Sequence, residues 1–151
     1  MTSVLIIGGG GMIGQKLALS FAENETVSLL DMNFPANSDV NAHKILGSVS
    51  DASIMEKALS NRPDTIFYLA SVVSGEAEAN FSKGWDVNIQ AFWSFLAQIK
   101  DQYSKSDGEY KPKVIFTSSI AVFGSPFPNT ISDGFLTAPR TSYGAQKACC
   151  E

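Results

Sequence analysis

The chain has 151 residues, 44% of them hydrophobic and 17% charged, and 11 Lys and Arg against 15 Asp and Glu give a formal charge of −4. That balance argues against a disordered chain, and the absence of a basic tract argues against a nucleic-acid binder. Apolar runs fall far short of the roughly 20 residues of a membrane-spanning helix, and Met1-Thr2-Ser3 lacks the basic start of a secretory leader.

The adjacent Cys149 and Cys150 are the only cysteines and suit a reducing compartment, so the sequence reads as one cytoplasmic domain, 1–151. Val4–Ile7 is a β-branched run ending in glycine and predicts a buried strand. Met12–Glu23 has helical periodicity, with Ile13, Leu17 and Phe21 spaced by four, and Val27–Leu30 predicts a second buried strand closed by Asp31. Strand, helix and strand in about thirty residues make a βαβ unit. Asn33–Asn41 is polar and holds Pro35, a loop, and Lys44–Leu46 can form a short third strand. Asp51 is placed to cap a helix whose apolar line is Ile54, Ala58 and Leu59, and Pro63-Asp64 ends it.

Thr65–Leu69 predicts a further buried strand. Phe81, Trp85, Ile89, Phe92, Leu96 and Ile99 then recur every three or four residues, which predicts one long amphipathic helix with a core-packing stripe. Asp101–Lys113 is a polar surface connection, and Val114–Thr117 another buried strand. Gly124–Thr141, with three prolines, is a loop long enough to have a task. A last helix opens near Tyr143. The alternation predicts an α/β fold, a doubly wound parallel sheet of Rossmann type covered on both faces. Ser142–Glu151 reads as the opening of a helix and not the close of a domain, so the sequence is expected to be a fragment.

Three groups of residues carry chemistry. Between the first strand and the first helix, Gly8-x-x-Gly11-x-x-Gly14 supplies a tight turn at Gly8, room for a pyrophosphate at Gly11, and close helix–sheet packing at Gly14. The free N–H groups of the helix start, where Met12 and Ile13 stand, hold an anion. No Lys-Ser/Thr follows Gly14, so this is not a nucleoside-triphosphate loop. Asp31 at the end of strand two can accept both ribose hydroxyls of an adenosine and would repel the extra phosphate of NADP, so NAD is the expected cofactor. Tyr143 and Lys147, four apart on the last helix, share a face. A phenol titrates near 10, and a neighbouring ammonium favours its phenolate, which can exchange a proton with a hydroxyl or carbonyl. Ser118 and Ser119 follow a strand at the sheet's carboxyl edge, where ligands bind, and a hydroxyl there can steady a reacting oxygen. The single histidine, His43, offers no Ser-His-Asp alternative, and no metal-ligand cluster is evident.

Taken together with Asn88 in Asp86-Val87-Asn88, Thr117-Ser118-Ser119 and Pro139-x-x-Ser142-Tyr143-Gly144-x-x-Lys147, these residues resemble the N-terminal part of an extended short-chain dehydrogenase/reductase, the group that includes nucleotide-sugar epimerases. The resemblance implies that the chain stops before its C-terminal strands and substrate-binding region. It also implies a proton-transfer role for Tyr143, oxygen stabilisation by Ser119, ribose binding and tuning of the tyrosine by Lys147, and a helix interruption with a proton path at Asn88. It places Gly8, Gly11, Met12, Ile13, Gly14, Asp31, Val49, Leu69, Ala70, Ser71, Tyr143 and Lys147 around the cofactor, although Gly47-Ser48-Val49 has Ser48 where that family has an adenine-contacting Asp. A narrower resemblance, in Leu69–Glu78 and Ser118–Gly124, is to NAD-dependent enzymes that oxidise a four-carbon sugar acid at C2. It puts Ser74, Gly75, Ser119 and Tyr143 at a small sugar-acid substrate.

Three functions stay open: NAD-dependent oxidation of a 2-hydroxy sugar acid such as D-erythronate, epimerisation or dehydration of a nucleotide sugar with tightly held NAD, and a non-catalytic fragment. Residues 1–151 alone are not expected to turn over a hydroxy acid, whereas a longer form is; a homodimer of that form is left open.

Overall fold

A computed structural model describes residues 2–38 and 40–151. Asp39, inside the loop read at 33–41, and Met1 lie outside the described residues. The chain forms two compact units, the first made of residues up to Ala70 together with Ala91–Thr117, the second of Ser71–Gln90 with Ser118–Glu151.

The first unit is a parallel five-stranded sheet. Its strands are β1 (Ser3–Ile7), β2 (Thr26–Asp31), β3 (His43–Leu46), β4 (Thr65–Tyr68) and β5 (Lys113–Phe116), in the order β3-β2-β1-β4-β5. β1 lies centrally, with Val4 opposite Val27 of β2 and Thr65 of β4. This is the expected Rossmann-type sheet, and its order reverses between β1 and β4. Ligands of such sheets bind outside the carboxyl ends of the strands at that reversal.

Alternation along the strands divides the core into two faces. Val4, Ile6, Val27 and Leu29 pack with Ala18, Leu17 and Phe21 of α1 (Met12–Phe21). On the other face Tyr68 meets the rings of Phe92 and Phe95 of α5 (Ala91–Lys105), and Phe92 meets Phe116 of β5. α2 (Ala52–Leu59) starts as predicted, with the Asp51 carboxylate accepting from the amides of Ser53 at 2.9 Å and Ile54 at 3.4 Å.

Several local expectations change. Ile13 does not join the buried line of α1; it is 55% exposed at the helix start, and the core-facing residues are Gly14 and Ala18, with Leu17 and Phe21 partly buried. β5 is half-buried instead of fully buried: among the described residues it is an edge strand, with β4 as its one neighbour. The polar segment after Ile99 does not begin as loop: α5 continues to Lys105, supported by the Lys105–Asp101 ion pair at 2.7 Å, one turn apart.

The second unit holds α3 (Ser74–Ala79), α4 (Phe81–Trp85), a π-helical segment at Asp86–Gln90, a 3₁₀ turn at Ile120–Val122, and α6 (Ser142–Ala148). The Val73–Gly75 stretch, read as a loop, opens α3, with the Ala77 amide donating to Val73 O at 2.9 Å. The long helix expected from Phe81 onward is interrupted by the π segment. A π turn holds more residues than an α turn, so a 3.6-residue stripe does not stay in phase across it. Phe81, Trp85 and Leu96 are exposed, while the buried residues of α5 are Ala91, Phe92 and Phe95. Residues 124–141 form no helix or strand, yet they fold back: Ala138 donates to Val122 O at 3.0 Å, the rings of Phe123 and Phe135 meet, and Arg140 donates to Ser125 Oγ at 2.8 Å.

Candidate active site

The first unit builds an anion cradle from the end of β1. Gly8 and Gly9 both donate to Leu30 O, at 2.8 and 3.1 Å, so the turn hangs from the end of β2. Leu69 and Ala70 donate to Ile7 O, at 2.8 and 3.1 Å, which brings the end of β4 against it. Gly8 has φ +89°, and a Cβ there would stand 2.7 Å from Ala70 N, so a side chain is excluded by both conformation and space. A Cβ on Gly14 would lie 2.4 Å from Gly8 O, so α1 meets the turn directly.

Outward, the cradle is open. Gly11 is the N-cap of α1, no side chain caps it, and its imagined Cβ meets only Gly8 O, at 3.5 Å. Met12 and Ile13 are exposed, and α1 has no acidic residue in its first turn. Uncapped first-turn amides without a competing carboxylate suit pyrophosphate oxygens.

Asp31 ends β2 beside this turn. Its Oδ2 accepts from Gly10 N at 2.9 Å and its Oδ1 from Asn33 N at 3.2 Å, so the carboxylate is oriented by the backbone and keeps further acceptor sites. Gln15, which the sequence did not single out, fastens the turn: its Nε2 donates to Gly9 O at 2.6 Å while its Oε1 accepts from Ser38 Oγ at 2.6 Å. Val49 is half-buried in the turn after β3, where Ser48 Oγ accepts from Ser50 N.

The second unit gathers Asn88, Ser71, Ser119, Tyr143 and Lys147. Asn88 is the middle residue of the π segment and is buried. Its Oδ1 accepts from Val72 N at 2.8 Å and Ser71 Oγ at 3.1 Å, and its Nδ2 donates to Val72 O at 2.9 Å and to Gln146 Oε1 at 2.7 Å. The asparagine thereby ties the 71–72 segment to α6. Cys150 Sγ donates to the Asn88 carbonyl at 3.3 Å. Ser74 and Gly75 are exposed in the first turn of α3, and a Cβ on Gly75 would meet open space.

Tyr143 and Lys147 stand one turn apart on α6, with Lys147 Nζ 5.9 Å from the centre of the Tyr143 ring. Tyr143 is half-buried; Lys147 is 3% exposed, and burial holds its ammonium below the usual lysine range, with the neighbouring Cys150 acting in the opposite direction. Burial in turn pushes the Cys150 thiol up, against the pull of Lys147.

Ser119 caps the 3₁₀ turn, its Oγ accepting from Ala121 N at 3.2 Å. That bond uses an oxygen lone pair and leaves the O–H to donate elsewhere. Ser118 takes a different partner, donating to the Glu151 carboxylate. The 3₁₀ turn packs on α6, and Gly144 makes this approach possible: a Cβ there would fall 2.1 Å from Ala121 O. The glycine after Tyr143 therefore sets how closely the Ser119 turn meets the tyrosine's helix. Two further residues escaped the sequence reading. Gln146 is 1% exposed, and Glu78 accepts from the first turn of α6. Gln146 lies within the Tyr143–Lys147 spacing as an unassigned position; nothing local marks Glu78.

Residues 4–151 match the NAD dependent epimerase/dehydratase family. The chain belongs to that family. As an epimerase/dehydratase family member it is 33% identical to the D-erythronate dehydrogenase of Cupriavidus necator, over 99% of this chain and 48% of that protein. It is 32% identical to the D-erythronate dehydrogenase of Haemophilus influenzae, over 98% of this chain and 47% of that protein. Among solved structures it is similar to the nucleoside-diphosphate-sugar epimerase from Agrobacterium tumefaciens, with a TM-score of 0.87 and 41% identity over 99% of this chain and 46% of that one. The chain spans about half the length of the curated relatives it matches. The cofactor of the epimerase/dehydratase family is NAD, and the open, uncapped start of α1 fits its pyrophosphate. Among the described residues, no helix is long and apolar enough to cross a membrane.

Proposed function

We propose that this chain carries the cofactor-binding and proton-transfer groups of a cytoplasmic NAD-dependent dehydrogenase, which oxidises a small 2-hydroxy sugar acid such as D-erythronate to the 2-keto acid. Residues 1–151 are its Rossmann-type NAD-binding domain. The observation that carries the reading is the α6 assembly: Tyr143 beside a buried Lys147, on a helix that Gly144 lets close onto the Ser119 turn. Similarity to two D-erythronate dehydrogenases supports the substrate class.

In this reading Gly8, Gly11, Met12, Ile13, Gly14 and Asp31 bind the adenosine and pyrophosphate part of NAD, with Val49, Leu69, Ala70 and Ser71 beside it. NAD, when bound, supplies the hydride acceptor. Tyr143 takes the proton of the C2 hydroxyl, and Ser119 donates its free O–H to the same oxygen. Lys147 holds the nicotinamide ribose and places positive charge by the phenol. Ser74 and Gly75 contact the sugar acid, and Asn88 keeps the helix break that organises the proton path.

The test follows NADH absorbance on the full-length protein with D-erythronate and close analogues. NADH should form, and Tyr143→Phe should lower turnover by about 10² to 10⁴ with the fold intact. Near-normal turnover in that variant would refute the assignment. Similarity to the Agrobacterium sugar epimerase favours a second reading, nucleotide-sugar epimerisation. Cofactor retained through purification, with turnover of nucleotide sugars and no added NAD, would select it.

A further inference from the structure

α6 has only seven residues, and helices that short are marginal without outside support. The first four amides of any helix lack intrahelical acceptors. In α6 Thr141 Oγ1 takes the Gly144 amide at 3.0 Å. The Tyr143 amide is taken by a residue 65 positions earlier: Glu78 Oε1 accepts it at 2.8 Å and accepts the Ser142 hydroxyl at 2.7 Å.

We propose that Glu78 is a positioning residue, whose carboxylate sets the first turn of α6 and thereby the place of the Tyr143 phenol. The proposal rests on Tyr143 being the proton-transfer residue. Glu78 holds the main chain of Tyr143 itself, so any displacement of that bond moves the phenol with it. The carboxylate is anchored in turn. Ala77 before it is fully buried, the Ser142 hydroxyl also reaches Ala77 O at 3.4 Å, and a Glu76–Lys83 ion pair ties α3 to α4. Asn80 then caps α4, accepting from Lys83 N at 3.0 Å. The Tyr143 amide first, and the Ser142 hydroxyl second, hold the Glu78 carboxyl below the usual carboxylate range, so the acceptor is charged at neutral pH.

Glu78 is solvent-exposed. Hydrogen bonds at an exposed site contribute little to overall stability. Rate is more sensitive, because a misplacement of about 1 Å can cost about a hundredfold. The signature of positioning is therefore a fall in kcat with little change in unfolding midpoint or in KM for NAD, since the bonds of the Glu78 carboxylate go to the Tyr143 amide and the Ser142 hydroxyl.

The experiment compares Glu78→Ala and Glu78→Gln with the unmutated full-length protein. It measures Tyr143 amide exchange by NMR, alongside kcat and KM. Glu78→Ala should speed exchange of the Tyr143 amide and lower kcat by about tenfold or more. Glu78→Gln keeps a side-chain oxygen in place and should restore both to near the original values. Unchanged Tyr143 exchange in Glu78→Ala would overturn the proposal. So would an unchanged kcat, or a glutamine variant as slow as the alanine one. If the unmutated protein turns over no sugar acid, the substrate reading fails on its own. The exchange arm then still decides whether Glu78 holds the helix.

Discussion

Asn88→Ala should be among the most damaging single substitutions in the second unit. Asn88 is 4% exposed and makes four hydrogen bonds, to Val72 N, Val72 O, Ser71 Oγ and Gln146 Oε1, between 2.7 and 3.1 Å. Alanine removes all four. The main-chain N–H and C=O of Val72 and the Gln146 carbonyl oxygen lose these partners, and both residues are buried. Each buried polar group left unsatisfied costs about 1 to 3 kcal/mol. Water entering the vacated space recovers part of that. The expected loss is about 3 to 5 kcal/mol, a large share of the ~5 to 15 kcal/mol that holds an ordinary domain together. Asn88→Asp sharpens the test. It keeps both acceptor bonds but loses both donors, and it sets a carboxylate oxygen against Gln146 Oε1 and Val72 O. It should cost as much as alanine despite its nearly identical shape. Urea unfolding at matched protein concentration reads both, as a lower midpoint with an unchanged slope. A loss below about 1 kcal/mol for alanine, or an aspartate variant as stable as the original, would refute the view that this network locks α6 to the 71–72 segment.

On the proposed reading, in which the Asp31 carboxylate accepts the ribose hydroxyls, Asp31→Ala should weaken NAD binding by about tenfold and narrow the preference over NADP, and it also removes the acceptor of the Gly10 amide. Titration of both cofactors checks this, and equal affinities in the unmutated protein would sink the assignment. Tyr110 gives a pH prediction. Burial first, then the Asp64 charge, with Arg62 opposing, push its phenol up to about 12, while its hydroxyl donates to Pro63 O at 3.1 Å. Its folded value stands above the unfolded one of about 10. The stabilisation is therefore complete below pH about 10 and is lost as pH rises through about 12. Ultraviolet titration of the unmutated protein against Tyr110→Phe should assign a late-ionising phenol to residue 110; a Tyr110 midpoint near 10 would contradict it.

Local chemistry made much of this protein legible from its sequence. The β1 turn depends on glycines a few residues apart, and the Tyr143–Lys147 pair on the i, i+4 geometry of one helix. Asp51 and the amides it caps are also near neighbours. Short β-branched runs alternating with helical periods sufficed for a parallel sheet, because buried parallel strands carry a continuous apolar signal. What remained hidden depends on partners far along the chain. Glu78 and Tyr143 are 65 residues apart, Asn88 and Gln146 are 58 apart, and neither member of each pair marks the other. The half-exposure of β5, at the edge of the sheet among the described residues, is not revealed by its apolar run. The stripe from Phe81 to Ile99 failed for a related reason. A constant 3.6-residue period was carried across Asp86–Gln90, where the helix widens to a π turn centred on Asn88. Only the tertiary structure decides that widening, because the bonds Asn88 makes there reach Val72 and Gln146 from other segments.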